Sequence, residues 1–285
     1  MAGYVARGYR DRGYCHMANL CGVERPQVYS ILFIHSALAK IVIVDRPGIL
    51  YLVPTPIGNL SDMSARAIEV LSSVSLIACE DTRTSGVLLN HYGITTPRTS
   101  FHAHNEHGKS KRILDELRFG KDVALISDAG SPGISDPGYL LVRAALDAHL
   151  DVTALPGPSA LVPALAASGL PSDRFAFEGF LPQKKGRQTR IKAIVEEDRT
   201  VILYESPHRL HKLLKQLAEF AGEDRQVVVA REISKKFEEF RRGTLTDLLA
   251  WCDSLERVRG ECVVLLASAR ASERLNEAAK STDVA

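Results

Sequence analysis

The segment FHAHNEH, residues 101–107, gathers His102, His104, Glu106 and His107 within seven positions. Imidazoles and a carboxylate so placed can move protons near neutral pH or ligate zinc. The zinc reading lacks a fourth ligand. On an extended segment His102 and His104 share a face, His107 lies across the following turn, and no second carboxylate-rich cluster completes the site. The preferred reading is a polar loop facing a substrate, with no metal. A second segment, ISDAGSPGISDPG at 126–138, sets Asp128 and Asp136 among Gly130, Pro132, Gly133, Pro137 and Gly138. An ordinary connection needs about 2–6 residues of loose composition. This one is longer and more constrained, because glycines admit close approach of a ligand to backbone and prolines fix the path. A third, LPQKKGRQTRIK at 181–192, carries Lys184, Lys185, Arg187, Arg190 and Lys192 with no acid among them. Such a run is either a solvated helix face or, as an acid-free loop after the apolar FEGFLP, an edge that contacts phosphates.

Strands and helices must position these residues. Apolar runs at 49–53, 74–79, 123–126 and 152–155 alternate with helical spacing at 64–72, 106–118, 139–148 and 159–167. That alternation predicts a mostly parallel sheet with helices on its faces. The pattern breaks near Gly169-Leu170-Pro171-Ser172. Beyond it, strands are expected near 175–180, 200–204, 226–231, 237–242 and 261–267, and helices near 186–196, 208–221 and 245–251, which suits a mixed sheet. The chain is thus divided into an extension at 1–46 without coherent period and expected to be disordered, α/β domains at 47–169 and 170–268, and a fraying polar tail at 269–285.

Three turn-rich segments, PTPIGN (54–59), DAGSPGISD (128–136) and PGPSA (156–160), follow three strands of the first half. In an open α/β sheet, ligands bind at the carboxyl ends of strands, so a binding site is expected where these loops meet. Familiar nucleotide signatures fail. The Gly108-Lys109-Ser110 triplet lacks its leading glycine, since position 103 is alanine, and no G-x-G-x-x-G follows the first strand. Gly157-Pro158-Ser159 imitates a nucleophile elbow, but Leu161 stands at its fifth position; Ser159 reads better as a helix cap.

Composition narrows the class. The 285 residues are 45% hydrophobic and 25% charged, with a formal net charge of only +2, so any nucleic-acid surface is local. Five scattered cysteines without a C-x-x-C pair suit reduced thiols in a cytosol. The apolar stretch 31–44 is short for a membrane span and is interrupted by His35 and Lys40.

Taken in order, LVPTPIGNL, CEDTR, HNE, ISDAGSPGISDPG, LPGPSA, FEGFLPQKKGR, YESPHRL and AREISKKFEEFRRG resemble the small-subunit ribosomal-RNA cytidine 2′-O-methyltransferases of the tetrapyrrole methylase superfamily. The resemblance runs from about Gly48 to Ala267. It departs at Pro54 and Ser131, where a small residue and a threonine are expected. It implies a two-domain fold, a Rossmann-like parallel sheet followed by a smaller mixed-sheet domain, with S-adenosylmethionine in the cleft between them, and a homodimer acting in the cytoplasm on ribosomal RNA or the assembled small subunit. Under that resemblance Asp128, Ala129, Gly130, Ser131, Ile134, Ser135 and Asp136 wrap the cofactor. Pro54, Ser159 and Ala160 belong to the other cofactor loops. His104, Glu106 and Glu232 are catalytic candidates, and Arg83 with Lys184, Lys185, Arg187, Arg190 and Lys192 grips RNA. A methylase acting on a porphyrin-like ring and a non-catalytic RNA-binding module remain as alternatives.

Overall fold

The computed structural model describes residues 46–103 and 105–282. The extension at 1–45 and His104 lie outside the described residues. The described residues form two five-stranded sheets. The first contains β1 (Leu50–Leu52), β2 (Leu76–Cys79), β3 (Arg98–Ser100), β4 (Val123–Ile126) and β5 (Val152–Ala154) in the order β3-β2-β4-β1-β5, every pairing parallel. The alternation of side chains across this sheet divides two cores. Ile77, Cys79, Ala124 and Ile126 meet Ala67 and Leu71 of α1 (Ala65–Ser73) and Leu89 of α2 (Thr82–His91). Ala78, Val123 and Leu125 meet Ile113 and Leu117 of α3 (Glu106–Arg118) and Leu141 and Ala145 of α4 (Tyr139–Asp147). With both faces covered, the inner strands β2, β4 and β1 read as largely apolar runs, as parallel sheets require.

The second sheet takes β6 (Phe175–Phe180), β7 (Thr200–Glu205), β8 (Gln226–Arg231), β9 (Glu239–Thr244) and β10 (Cys262–Leu266) in the order β6-β7-β10-β8-β9. Only β6–β7 is parallel, so the sheet is mixed. Val201, Leu203, Val227, Val229 and Val264 pack under α6 (Arg187–Val195), α7 (Pro207–Ala221) and α8 (Leu245–Asp253). Their neighbours Ile202, Val228, Ala230, Val263 and Leu265 face the other way, onto α5 (Leu161–Ala166). Although α5 follows β5 of the first sheet, its buried Ala164 and Leu165 belong to the core of the second, and this helix ties the halves together.

Three elements escape the sequence reading. α2 is polar, with Gly86 at its middle, and starts because the Asp81 carboxylate accepts from Arg83 N at 2.8 Å. β3 is three residues, Arg-Thr-Ser, without an apolar side chain. The tail is corrected from fraying to a helix, α9 (Ala269–Thr282). Ala271 and Leu275 pack on the second sheet, Ser272 Oγ accepts from Gln226 N at 2.8 Å, and Asn276 pairs with Gln226. Among the described residues no helix is long and apolar enough to cross a membrane.

Candidate active site

The loop after β4 is held from three sides. Thr55, from the loop after β1, and Gly130 exchange backbone hydrogen bonds at 2.9 Å each way, and Thr55 Oγ1 donates to Ser127 O at 2.9 Å. Gly130 adopts φ +80°, a left-handed conformation that glycine takes without penalty. Ser131 Oγ donates to Pro158 O at 3.3 Å, joining the loop after β5. Pro54 lies beneath that third loop, where a side chain on Gly157 would come within 2.8 Å of its Cβ. The three turn-rich segments therefore form one assembly at the carboxyl edge of the parallel sheet.

From the opposite side come strand ends of the second sheet. Between them lies a cleft of about 420 Å³. Its first wall holds Asp128, Ala129, Gly130 and Ser131, then Ile134, Ser135 and Asp136, then Ser159 and Ala160. Of the expected cofactor residues only Pro54 stands behind the wall, not in it. The second wall holds Phe180, Tyr204 to Pro207, Ile233 and Glu261 to Val263. The sequence reading nominated none of these; YESPHRL, FEGFLPQKKGR and AREISKKFEEFRRG were family motifs in which none of these residues was named, and Glu261 to Val263 are ordinary strand-end residues.

Close contacts fix the separation of the walls. A side chain at Gly179 would meet Ser135 Oγ at 2.8 Å. Tyr204 bonds the Leu161 backbone and the Ser159 side chain; burial, the larger influence, pushes its phenol up. Ser159 is thus not the cap of α5. That position is Ala160, and the Ser159 hydroxyl serves Tyr204 instead. Further out, Ser234 Oγ bonds the Asp62 carboxylate, and Arg242 donates to Ser168 O at 3.1 Å and Ala167 O at 2.6 Å.

Carboxylates set the electrostatics of the first wall. Asp136 is pushed up to about 6, first by burial and next by Glu80, against a hydrogen bond from Ser127. Glu80 is itself raised by burial and by Asp128. Asp128 is exposed and accepts from Asp81 N at 3.2 Å. Such a concentration of negative charge favours a cationic ligand.

The catalytic candidates separate. Glu106 is buried at the first turn of α3, and its Oε1 has no hydrogen-bond partner among the described residues. It does not line the cleft. Glu232 sits beside the cleft in a left-handed conformation, φ +55°. Its carboxylate accepts from Lys235 Nζ and from Glu261 N, both at 3.0 Å. Burial raises this group, but Lys235 and the backbone donor outweigh it and leave a net depression. Glu232 therefore shapes the turn that carries Ile233 into the wall.

The basic run also divides. Lys184, Lys185 and Lys192 are exposed, Lys192 lying 5.2 Å from the Phe220 ring centroid. Arg190 pairs with Glu178 at 2.5 Å, so an acid from β6 offsets part of a run that contains none. Arg187 is corrected from RNA contact to internal support. It is 4% exposed and bonds Glu205 Oε2 at 3.2 Å and Gln216 Oε1 at 2.8 Å. Arg209 holds the other oxygen of Glu205 at 2.7 Å. Arg83, at the start of α2, is almost fully exposed and paired with Asp81 at 2.9 Å.

Comparison with known proteins agrees with this architecture. The family model for tetrapyrrole (corrin/porphyrin) methylases matches residues 49–249. Proteins named ribosomal RNA small subunit methyltransferase I are similar over about four-fifths of the chain. That from Synechocystis sp. is 50% identical over 80% of this chain and 81% of its own. That from Pseudomonas aeruginosa is 52% identical over 79% and 81%. Among solved structures, uroporphyrin-III-C-methyltransferase from Thermus thermophilus superposes with a TM-score of 0.56 at 20% identity, covering 78% of this chain and 95% of that one. A diphthine synthase gives 0.61 at 15% identity, covering 77% and 90%. These two share the fold. With the family model matching residues 49–249 and relatives half identical over four-fifths of the chain, the chain belongs to the tetrapyrrole (corrin/porphyrin) methylase family.

Proposed function

We propose that this protein transfers a methyl group from S-adenosylmethionine to a cytidine ribose 2′-hydroxyl of small-subunit ribosomal RNA, as a cytoplasmic homodimer. The observation that carries the reading is half identity over four-fifths of the chain to proteins named for small-subunit ribosomal RNA methylation. The cleft suits the cofactor. Its volume of about 420 Å³ falls in the usual range for small-molecule sites. The exposed Asp128 carboxylate matches an ammonium and a sulfonium in charge. At Gly130, where only Ile57 comes near a built side chain, at 3.7 Å, the backbone is open to close approach.

When bound, S-adenosylmethionine supplies a methyl carbon already activated by its sulfonium. The protein's task is then chiefly to position the acceptor and exclude water. Asp128, Asp136 and the backbone of 129–131 would hold the cationic partner on the first wall. Ser135, Ser159 and Ala160 complete that wall. The Arg187–Glu205–Arg209 cluster stiffens the second wall at Glu205 and Ser206, whose N–H donates to Glu205 Oε1 at 2.9 Å. The hydroxyl gives up its proton as the methyl arrives; Glu106, which does not line the cleft, would reach that proton only through an intervening group. Lys184, Lys185, Lys192 and Arg83 take RNA phosphates.

Calorimetric titration with S-adenosylmethionine tests the cofactor assignment. The wild type should bind, and Asp128→Ala should weaken binding about tenfold, the effect of removing one charge-assisted contact, without lowering the melting temperature. An unchanged dissociation constant would remove Asp128 from the site.

A further inference from the structure

The second wall holds an aromatic surface whose placement is unusual for its strand. β6 is an edge strand, and its pairing with β7 shifts register between Phe177 and Gly179, leaving Glu178 as the extra residue of a bulge. In a regular strand, residues 177 and 180 would point to opposite faces. One extra residue restores them to the same face. Both rings accordingly pack edge-on to Tyr204, Phe177 at 5.0 Å and Phe180 at 5.6 Å between centroids. Phe177 is absorbed into the core, whereas Phe180 stays 55% exposed. Of the large apolar side chains exposed among the described residues, only Ile134 and Phe180 line the cleft, and only Phe180 is aromatic. Its support is Tyr204, whose ring braces both phenylalanines and whose hydroxyl lies beside Ser159 and Leu161. Directly after Phe180 the chain runs through Leu181 and Pro182 to the exposed Lys184 and Lys185.

We infer that Phe180 is the stacking surface for the nucleobase of the nucleotide that enters the cleft, and that Lys184 and Lys185 take its neighbouring phosphates. The inference rests on the RNA reading above and names the subsite that reading leaves blank. A ribose hydroxyl can reach a cleft between two walls only if its nucleotide is splayed from its neighbours, and splayed bases are held by stacking on aromatic side chains beside cationic grooves. A ring standing half in solvent at the cleft, braced from behind by a second ring, has the geometry for this. A leucine there would cover the same apolar surface but present no π face.

The test uses small ribosomal subunits lacking the modification, with labelled S-adenosylmethionine as donor, and compares wild type with F180A, F180L and F180W. F180A should lower kcat/KM about 5- to 150-fold, mostly through KM. F180L should be as poor as F180A, and F180W should stay within about threefold of wild type because its ring stacks. Melting temperature and cofactor affinity should hold in all three. Full activity in F180L would show that only apolar cover is needed and would overturn the inference. A loss of cofactor affinity matching the loss of kcat/KM would do so too, by placing Phe180 against the cofactor. If the wild type itself leaves the RNA unlabelled, the proposed function fails and the inference falls with it; labelling that survives F180A within twofold sinks the inference alone.

Discussion

Loop 127–138 and the basic run 184–192 are both dense in residues with chemistry, but different forces orient them. In the loop, backbone does the work. Gly130 pairs with Thr55, Ser131 reaches Pro158, and Gly138, at φ +141°, turns the chain into α4. Each side chain's direction follows from local geometry that glycine and proline dictate, so Asp128 and Asp136 have little choice of where to stand. In the basic run, position depends on what lies across from each cation. Arg187 finds Glu205 and Gln216 from β7 and α7, Arg190 finds Glu178, and Lys184 and Lys185 stay in solvent. A rigid loop declares its function through its own residues. A set of cations declares it only through its partners.

The sharpest way to break this contrast is at Arg187. Its ion pair with Glu205 is 5% and 1% exposed on the two sides. Arg187→Ala should lose about 3 kcal/mol of stability in urea unfolding, because a buried carboxylate is left short of one partner while Arg209 retains the other. If Arg187 served RNA instead, stability would be unchanged and RNA affinity alone would fall.

Lys184→Ala with Lys185→Ala should do the reverse. Stability should stay within about 0.5 kcal/mol of wild type. RNA affinity should fall and its log–log salt slope shrink by roughly 1.4 to 1.8, for two lost phosphate contacts. Affinity measured across a salt series reads this, and an unchanged slope would reduce the pair to solvated surface.

The smallest effect concerns Asp136, titrating near 6 because of burial and then Glu80. A cationic ligand favours the carboxylate, so binding should release a proton, and S-adenosylmethionine affinity should weaken as pH drops from 7 to 5. Stability of the free protein runs the other way. The folded value stands above the ordinary 3.8, so this group's burden on the fold is absent below about 4 and grows as pH rises to about 6. Asp136→Asn should flatten the affinity profile in calorimetric titrations over that range. A wild-type profile already flat would separate Asp136 from the ligand.

What the sequence made legible follows the same division. Both sheets, the cofactor loops and most helices could be read, because apolar periodicity and turn chemistry are local signals. α2, β3 and α9 could not, since each is polar and depends on a cap, a neighbouring strand or one apolar stripe docked onto the second sheet. Nine residues of the first wall were identified from the loops and the family they resemble. The second wall was not, because Tyr204, Glu205, Ile233 and Cys262 reach the cleft by packing between sheets, and no local pattern encodes that. The misassignment of Arg187 has the same origin: its partners lie 18 and 29 residues away.

The central claim is that the cleft serves ribose methylation of small-subunit RNA, and nucleoside analysis tests it most directly. Unmodified small subunits are incubated with the protein and labelled S-adenosylmethionine, and the RNA is digested to nucleosides. The account predicts label in 2′-O-methylcytidine, abolished when the protein is omitted. Label in another nucleoside, or an unlabelled RNA alongside a methylated tetrapyrrole in a parallel reaction, would contradict it.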